Sequence, residues 1–146
     1  MKLYLNKASP YARLAMVVIH EKRLVQRVEL AWTDPWASPP DLLAVNPMAK
    51  VPVLVTDGGL SIIDSVCICM HLDEIGHGPL LLPAAIPERL PALMKYGLGR
   101  GLIDAAFGVT IERRYANPDI QPVLAQRWLA AVQRTIAALE KDPALL

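Results

Sequence analysis

Every strand signal in this chain of 146 residues falls in its first half, and that one-sidedness limits the available folds more than any other feature. Two β-rich runs, VPVLV (51–55) and LSII (60–63), flank Thr56-Asp57-Gly58-Gly59, which has the turn chemistry of a hairpin. Upstream, KLYLN (2–6) and VQRVELA (25–31) read as two further strands. Between them, residues 10–24 repeat Leu14, Ala15, Val18 and Ile19 at three- and four-residue spacing, which lays one apolar face along a helix. Residues 32–40, WTDPWASPP, are broken by three prolines and carry no regular structure, after which PDLLAVNP allows a short helix ended at Asn46-Pro47. Residues 64–75 predict a helix with Asp64 or Ser65 as N-cap. Val66, Cys67, Ile68, Cys69, Met70 and Leu72 make it apolar on nearly all sides, so it requires cover on two faces.

The order is therefore β-α-β-(α)-β-β-α, and beyond it only helical patterning remains, at 88–115 and 120–139 with ANPD between them. That shift divides the chain into an α/β domain at 1–77, a linker at 78–87 and a helical region at 88–146. An apolar content of 53% and a formal net charge of +1 describe a globular protein. No run of Lys or Arg offers an electrostatic footprint for nucleic acid or an anionic membrane. Pro79, Pro83, Pro87 and Pro91 cut the longest apolar run, so no transmembrane span is expected. The opening MKLYLNKASP lacks the apolar core of a signal peptide, and a cytoplasmic location is the expectation. Cys67 and Cys69, two apart on one helix, face different ways and cannot bridge each other.

Three places are candidates for chemistry, and each has a purely structural reading. Ser9-Pro10 is what any helix start needs: a side-chain oxygen for an orphan amide and a ring with φ preset for the first turn. Val51-Pro52 is either an ordinary trans proline at a strand start, the commoner case, or a tight-turn cis proline. In the second case Val51 presents its backbone to an extended ligand as an added strand. Asp64-Ser65 is a plain N-cap pair, or a helix N-terminus whose free amides favour an anion. Asp64, Cys67 and His71 share a helix face at metal-ligand spacing, but no fourth ligand suggests itself, and core cysteine with an ordinary histidine is the preferred reading. His20 and His77 have no nucleophile or acid at a diagnostic spacing, and Trp32 and Trp36 read as cover for the sheet.

Taken together, S-P-Y-x-R after the first strand, N-P-x-x-K-V-P-V-L before the hairpin and D-S at the next helix start resemble the soluble glutathione transferases. The similarity is greatest to serine-type bacterial and plant-like members. It spans residues 1–77 and continues more weakly through GLIDAAF (101–107). The fold implied is an α/β N-terminal thioredoxin-like domain (βαβαββα, mixed sheet, cis proline) followed by an all-α domain. The activity implied is conjugation of the glutathione thiolate to a small electrophile in a homodimeric, detoxifying enzyme that needs glutathione as co-substrate and no metal.

Carried over by position, the resemblance implies that Ser9 donates to the glutathione sulfur and that Val51, before cis-Pro52, pairs with the cysteinyl backbone. Asp64 and Ser65 hold the γ-glutamyl end, Lys50 meets the glycyl carboxylate, and Asp104 reaches the γ-glutamyl amine from a partner subunit. Tyr11 and Tyr4 are the rival hydroxyls. A redox relative would carry cysteine at 9, often with another at 12; Ser9 and Ala12 exclude thiol-disulfide exchange through this loop. The competing reading is a non-enzymatic relative serving as a protein-interaction or regulatory module. Asp64 stands where glutamate is usual and Met48-Ala49 where x-Gly is familiar. The family's further helices lie beyond KDPALL, and the expectation is that residues past this sequence complete the second domain.

Overall fold

The computed structural model describes residues 1–116 and 123–145. It divides into two compact units, Met1–Leu82 and Pro83–Leu146. The first holds β1 (Lys2–Leu5), α1 (Pro10–Glu21), β2 (Glu29–Trp32), α2 (Pro40–Val45), β3 (Val53–Val55), β4 (Ser61–Ile63) and α3 (Ser65–Ile75). Its single sheet has the order β2-β1-β3-β4, with β2 parallel to β1 and both β3 and β4 paired antiparallel to their neighbours. This is the mixed-sheet thioredoxin-like arrangement that the resemblance implied.

Strand alternation gives the sheet two covered faces. Leu3, Leu5 and Leu54 point to one side and pack with Ala15 and Ile19 of α1 and Ile68 and Leu72 of α3. Tyr4 and Val53 point to the other and pack with Leu42 of α2. Each fully buried leucine or isoleucine contributes roughly 1.5–3 kcal/mol, so this double layer supplies the main stabilisation of the unit.

Two boundaries differ from expectation for one reason. Helix α1 ends at Glu21, not at residue 24, because Arg23 takes a left-handed conformation with φ of 55°. The Leu24 amide then donates back to the Ile19 carbonyl at 2.8 Å and the Arg23 amide to His20 at 3.0 Å, a Schellman closure made without its usual glycine. Leu24 is driven into the core, and Val25–Arg27 form a short 3-10 turn that lifts the chain back to the sheet. Strand β2 consequently starts at Glu29 and not at residue 25. The proline-rich 32–40 segment also contains a turn of 3-10 helix, Pro35–Ala37, capped by Asp34.

Past α3 the chain stays attached to the first unit. Lys22, only 1% exposed, places Nζ 2.9 Å from Asp73 Oδ1 and donates to the Pro79 carbonyl at 2.8 Å. Asp73 in turn accepts from the amides of Leu81 and Leu82. Helix α3 has one face in the core, while Cys67 and Met70 on the other are exposed.

The second unit pairs α4 (Ile86–Arg114) with α5 (Val123–Lys141). Helix α4 begins before residue 88 because Pro87 suits the first helical turn. Ala105 and Val109 are buried, and Gly108 gives the Trp128 ring room to lie against the backbone of α4. Leu90, Leu93, Met94, Leu124 and Ile136 remain exposed. The expected Asn117-Pro118-Asp119 turn and the helix start at 120–122 lie outside the described residues. Among the described residues no helix is long and apolar enough to cross a membrane.

Candidate functional site

The strand pairing gathers the candidate residues. Because β1, β2 and β4 run one way and β3 the other, the ends of β1, β2 and β4 and the start of β3 share one edge of the sheet. There Leu5 pairs with Trp32, Tyr4 with Val53, and Val53 with Ile63. Ser9, Val51-Pro52 and Asp64-Ser65 therefore emerge side by side at that edge. From β1 across β3 to β4 is about 10 Å, the length of three extended residues.

Ser9 caps α1: its Oγ accepts from the Ala12 amide at 3.2 Å, and Pro10 occupies the first helical position. A serine hydroxyl that accepts one bond still has its proton to donate, so the cap leaves Ser9 able to donate to a ligand. Its loop is set by Asn6, which was not among the sequence candidates. Asn6 Nδ2 donates to the Thr33 carbonyl at 3.0 Å, tying the ends of β1 and β2 together, while Oδ1 accepts from Ala8 at 2.9 Å and the carbonyl from Ser9 at 3.2 Å.

Val51-Pro52 is a cis peptide, as the resemblance implied and against the commoner trans form. Pro52 is buried and Val51 half-buried, and among the described residues the Val51 amide and carbonyl make no hydrogen bond. A second asparagine that sequence reading passed over holds this loop. Asn46, fully buried, donates from Nδ2 to the Lys50 carbonyl at 2.9 Å and accepts from Met48 at 3.0 Å. The signal available was the Asn46-Pro47 step, a turn marker whose tertiary use is not visible in a chain of letters. Ala49 stands where glycine is familiar and takes the left-handed φ of 50° that glycine favours. Lys50 itself is exposed and makes no ion pair among the described residues.

Asp64 is the N-cap of α3, its Oδ1 accepting from the Val66 amide at 2.7 Å. It does so with φ of 80°, a conformation that costs a non-glycine residue about 1–3 kcal/mol and that concentrates at functional sites. Asp64 is exposed, whereas Ser65, inside the first turn, is 3% exposed.

The remaining candidates separate. Tyr4 is buried against Leu42 and Val53, while Tyr11 is half-buried in the first turn of α1. Asp104, on the second unit, accepts from Arg100 Nε at 3.2 Å. Burial pushes the Cys69 thiol up to about 11, with the charges of Asp64 and Asp73 adding to the effect, so Cys69 is no thiolate nucleophile. Among the described residues no three His, Cys, Asp or Glu side chains form a metal-ligand set.

Comparison with known proteins identifies the family. Residues 8–75 match the family model described as glutathione S-transferase, N-terminal domain. The chain is 30% identical over 144 residues to the uncharacterized GST-like protein YibF of Escherichia coli K12, covering 96% of this chain and 68% of that protein. A crystal structure of a glutathione transferase family member from Pseudomonas fluorescens Pf-5 with bound glutathione superposes with a TM-score of 0.87 at 31% identity. That match covers 97% of this chain and 70% of the other. A Pseudomonas fluorescens Pf-5 structure with bound S-(propanoic acid)-glutathione gives 0.83 at 31% identity, with the same coverage. The chain belongs to the glutathione S-transferase family.

Proposed function

We propose that the protein is a serine-type glutathione transferase that joins the glutathione thiolate to a small electrophilic carbon, acting as a cytoplasmic, detoxifying homodimer. The observation that carries this reading is the unpaired Val51 backbone at the sheet edge, between the Ser9 hydroxyl and the Asp64 cap. An extended cysteinyl residue pairs with Val51 as an added strand, which brings its sulfur toward Ser9 and its γ-glutamyl end toward Asp64 and Ser65. Lys50 meets the glycyl carboxylate. Asp104 of a second copy reaches the γ-glutamyl amine, and the copies meet through the faces of α3 and α4, where Cys67 and Met70 offer exposed apolar surface.

The energetics suit the task. A free thiol of pKa about 8.5 is a few per cent thiolate at neutral pH, and lowering it by about two units takes roughly 2.7 kcal/mol. One hydrogen bond to a charged sulfur gives about 1.5–3 kcal/mol, and the α1 N-terminus adds about 0.3–1. The thiolate then attacks the electrophile, the new carbon-sulfur bond forming as a leaving group departs with its electron pair. The adduct named in the second Pseudomonas structure is a glutathione alkylated at sulfur, the kind of product this chemistry makes.

The test is retention on immobilised glutathione, followed by conjugation to 1-chloro-2,4-dinitrobenzene. Wild type is retained and active. Asp64→Gly removes the carboxylate while relieving the positive φ, so it folds at least as well and loses retention. A wild-type protein that is folded yet neither retained nor active would reject the reading.

A further inference from the structure

The outer side of α3 presents a set of donors that the conjugation scheme does not use. Ser65, Ile68, Leu72 and Asp73 of this helix are buried. On the opposite side Cys67 is exposed, Met70 is 46% exposed and His71 is half-buried. Among the described residues neither the Cys67 thiol nor the His71 imidazole has a hydrogen-bond or ion-pair partner. A thiol, a thioether and an imidazole thus stand on one helix face with their lone pairs unengaged.

Their spacing suits one ion. At about 100° per residue, Met70 lies about 60° to one side of Cys67 and His71 about 40° to the other. Residues three and four apart on a helix have Cβ atoms about 5–6 Å apart. Helical side chains lean toward the N-terminus, so the longer Met70 and His71 side chains reach back over the turn that carries Cys67. The donor types select the metal. Asp64, Cys67 and His71 leave zinc a ligand short of its tetrahedron. With the Met70 thioether in place of the hard carboxylate, the set becomes two sulfurs and one nitrogen, which suits a soft monovalent ion that accepts trigonal coordination, Cu(I). On binding, a metal-sulfur bond replaces the Cys67 sulfur-hydrogen bond, the proton passes to solvent, and no electron is transferred.

We propose that Cys67, Met70 and His71 form a Cu(I) site on the outer face of α3. The site shares no residue with the glutathione reading and stands if that reading fails, so it is tested without glutathione. The full chain, reduced and free of oxygen, is titrated with Cu(I) against the coloured chelator ferrozine. A second copy is proposed to meet this face and would cover it, so the chain is diluted until sedimentation shows monomer. The expected result is one Cu(I) taken from ferrozine per chain. Cys67→Ser abolishes uptake, and Cys69→Ser leaves it unchanged. Met70→Leu and His71→Gln, each close in shape to the residue replaced, weaken it at least about tenfold. All three positions face outward, so these variants keep the fold, which circular dichroism checks. No uptake by wild type, whether monomer or dimer, overturns the proposal. So does wild-type affinity in both Met70→Leu and His71→Gln, which would leave only a metal adduct of a single thiol.

Discussion

Lys22 Nζ and Asp73 Oδ1 meet at 2.9 Å with both side chains less than a tenth exposed, joining the end of α1 to α3 and to the segment that follows it. Burial raises the Asp73 carboxyl, but hydrogen bonds from the Leu81 amide, Lys22 and the Leu82 amide outweigh it and hold the group below the usual carboxylate range. A carboxylate depressed in the folded state contributes stability above its unfolded value, about 3.9, and loses it as pH falls through the folded value. The pair is therefore fully effective at neutral pH and fails only in acid.

Asp73→Asn is accordingly expected to cost about 3 kcal/mol at pH 7, because it leaves the Lys22 charge buried and unmatched. In urea titrations the gap between variant and wild type narrows once the pH drops below about 4, where the unfolded wild-type chain begins to protonate Asp73 while the folded one still holds it ionised. Lys22→Met/Asp73→Leu recovers much of the loss, since an apolar pair leaves no orphan charge. A constant gap from pH 7 to 3 would contradict this account.

Two glycines of α4 predict opposite responses to the same substitution. A Cβ at Gly108 would come within 2.6 Å of Trp128 Cε3, whereas one at Gly97 meets nothing within 4 Å. Gly97→Ala should raise stability by up to about 1 kcal/mol through helix propensity alone. Gly108→Ala gains the same term but overpacks the ring, for a net loss of about 1–2 kcal/mol. Thermal melts of the two variants, moving in opposite directions from wild type, are the check.

Thiol chemistry should single out Cys67. It is exposed, while the raised Cys69 thiol presents about a hundredfold fewer thiolates than an ordinary cysteine at the same pH. Cys67 lies on the face where the proposed copies meet, so one thiol per chain should react quickly with iodoacetamide at pH 8 when the protein is dilute enough to be monomeric, and more slowly in the dimer. Cys67→Ser removes that fast phase and Cys69→Ser does not.

What could be read from the letters was what local chemistry dictates. The Asp57-Gly58-Gly59 turn, Ser9-Pro10 and Asp64-Ser65 each act within a few residues of themselves, so their motifs carry the geometry. The α1 ending was missed because Arg23 adopts a conformation that glycine normally advertises. Asn6, Asn46 and the Lys22–Asp73 pair were missed because their partners, such as Thr33, Lys50 and Pro79, are brought to them by the fold. The residues proposed to touch a ligand were thus more legible than those that hold them in position.

Ser9 is proposed to have two tasks, and a pair of substitutions separates them. Ser9→Ala removes the acceptor for the Ala12 amide, costing about 0.5–2 kcal/mol of stability, and also removes the hydroxyl proposed to hold the thiolate. A fall in conjugation with this variant alone would leave open whether the helix start or the hydroxyl was responsible. Ser9→Asp restores the cap, because aspartate is as good an N-cap as serine and its charge suits the helix dipole. Next to a sulfur anion, however, that carboxylate has no proton to donate and repels the charge it should stabilise. The expected outcome is a melting temperature at or above wild type, with kcat/KM for conjugation reduced by at least about tenfold at pH 7 and partly regained at higher pH as bulk hydroxide generates the thiolate. Activity in Ser9→Asp that follows its stability back to the wild-type level would reduce Ser9 to a helix cap.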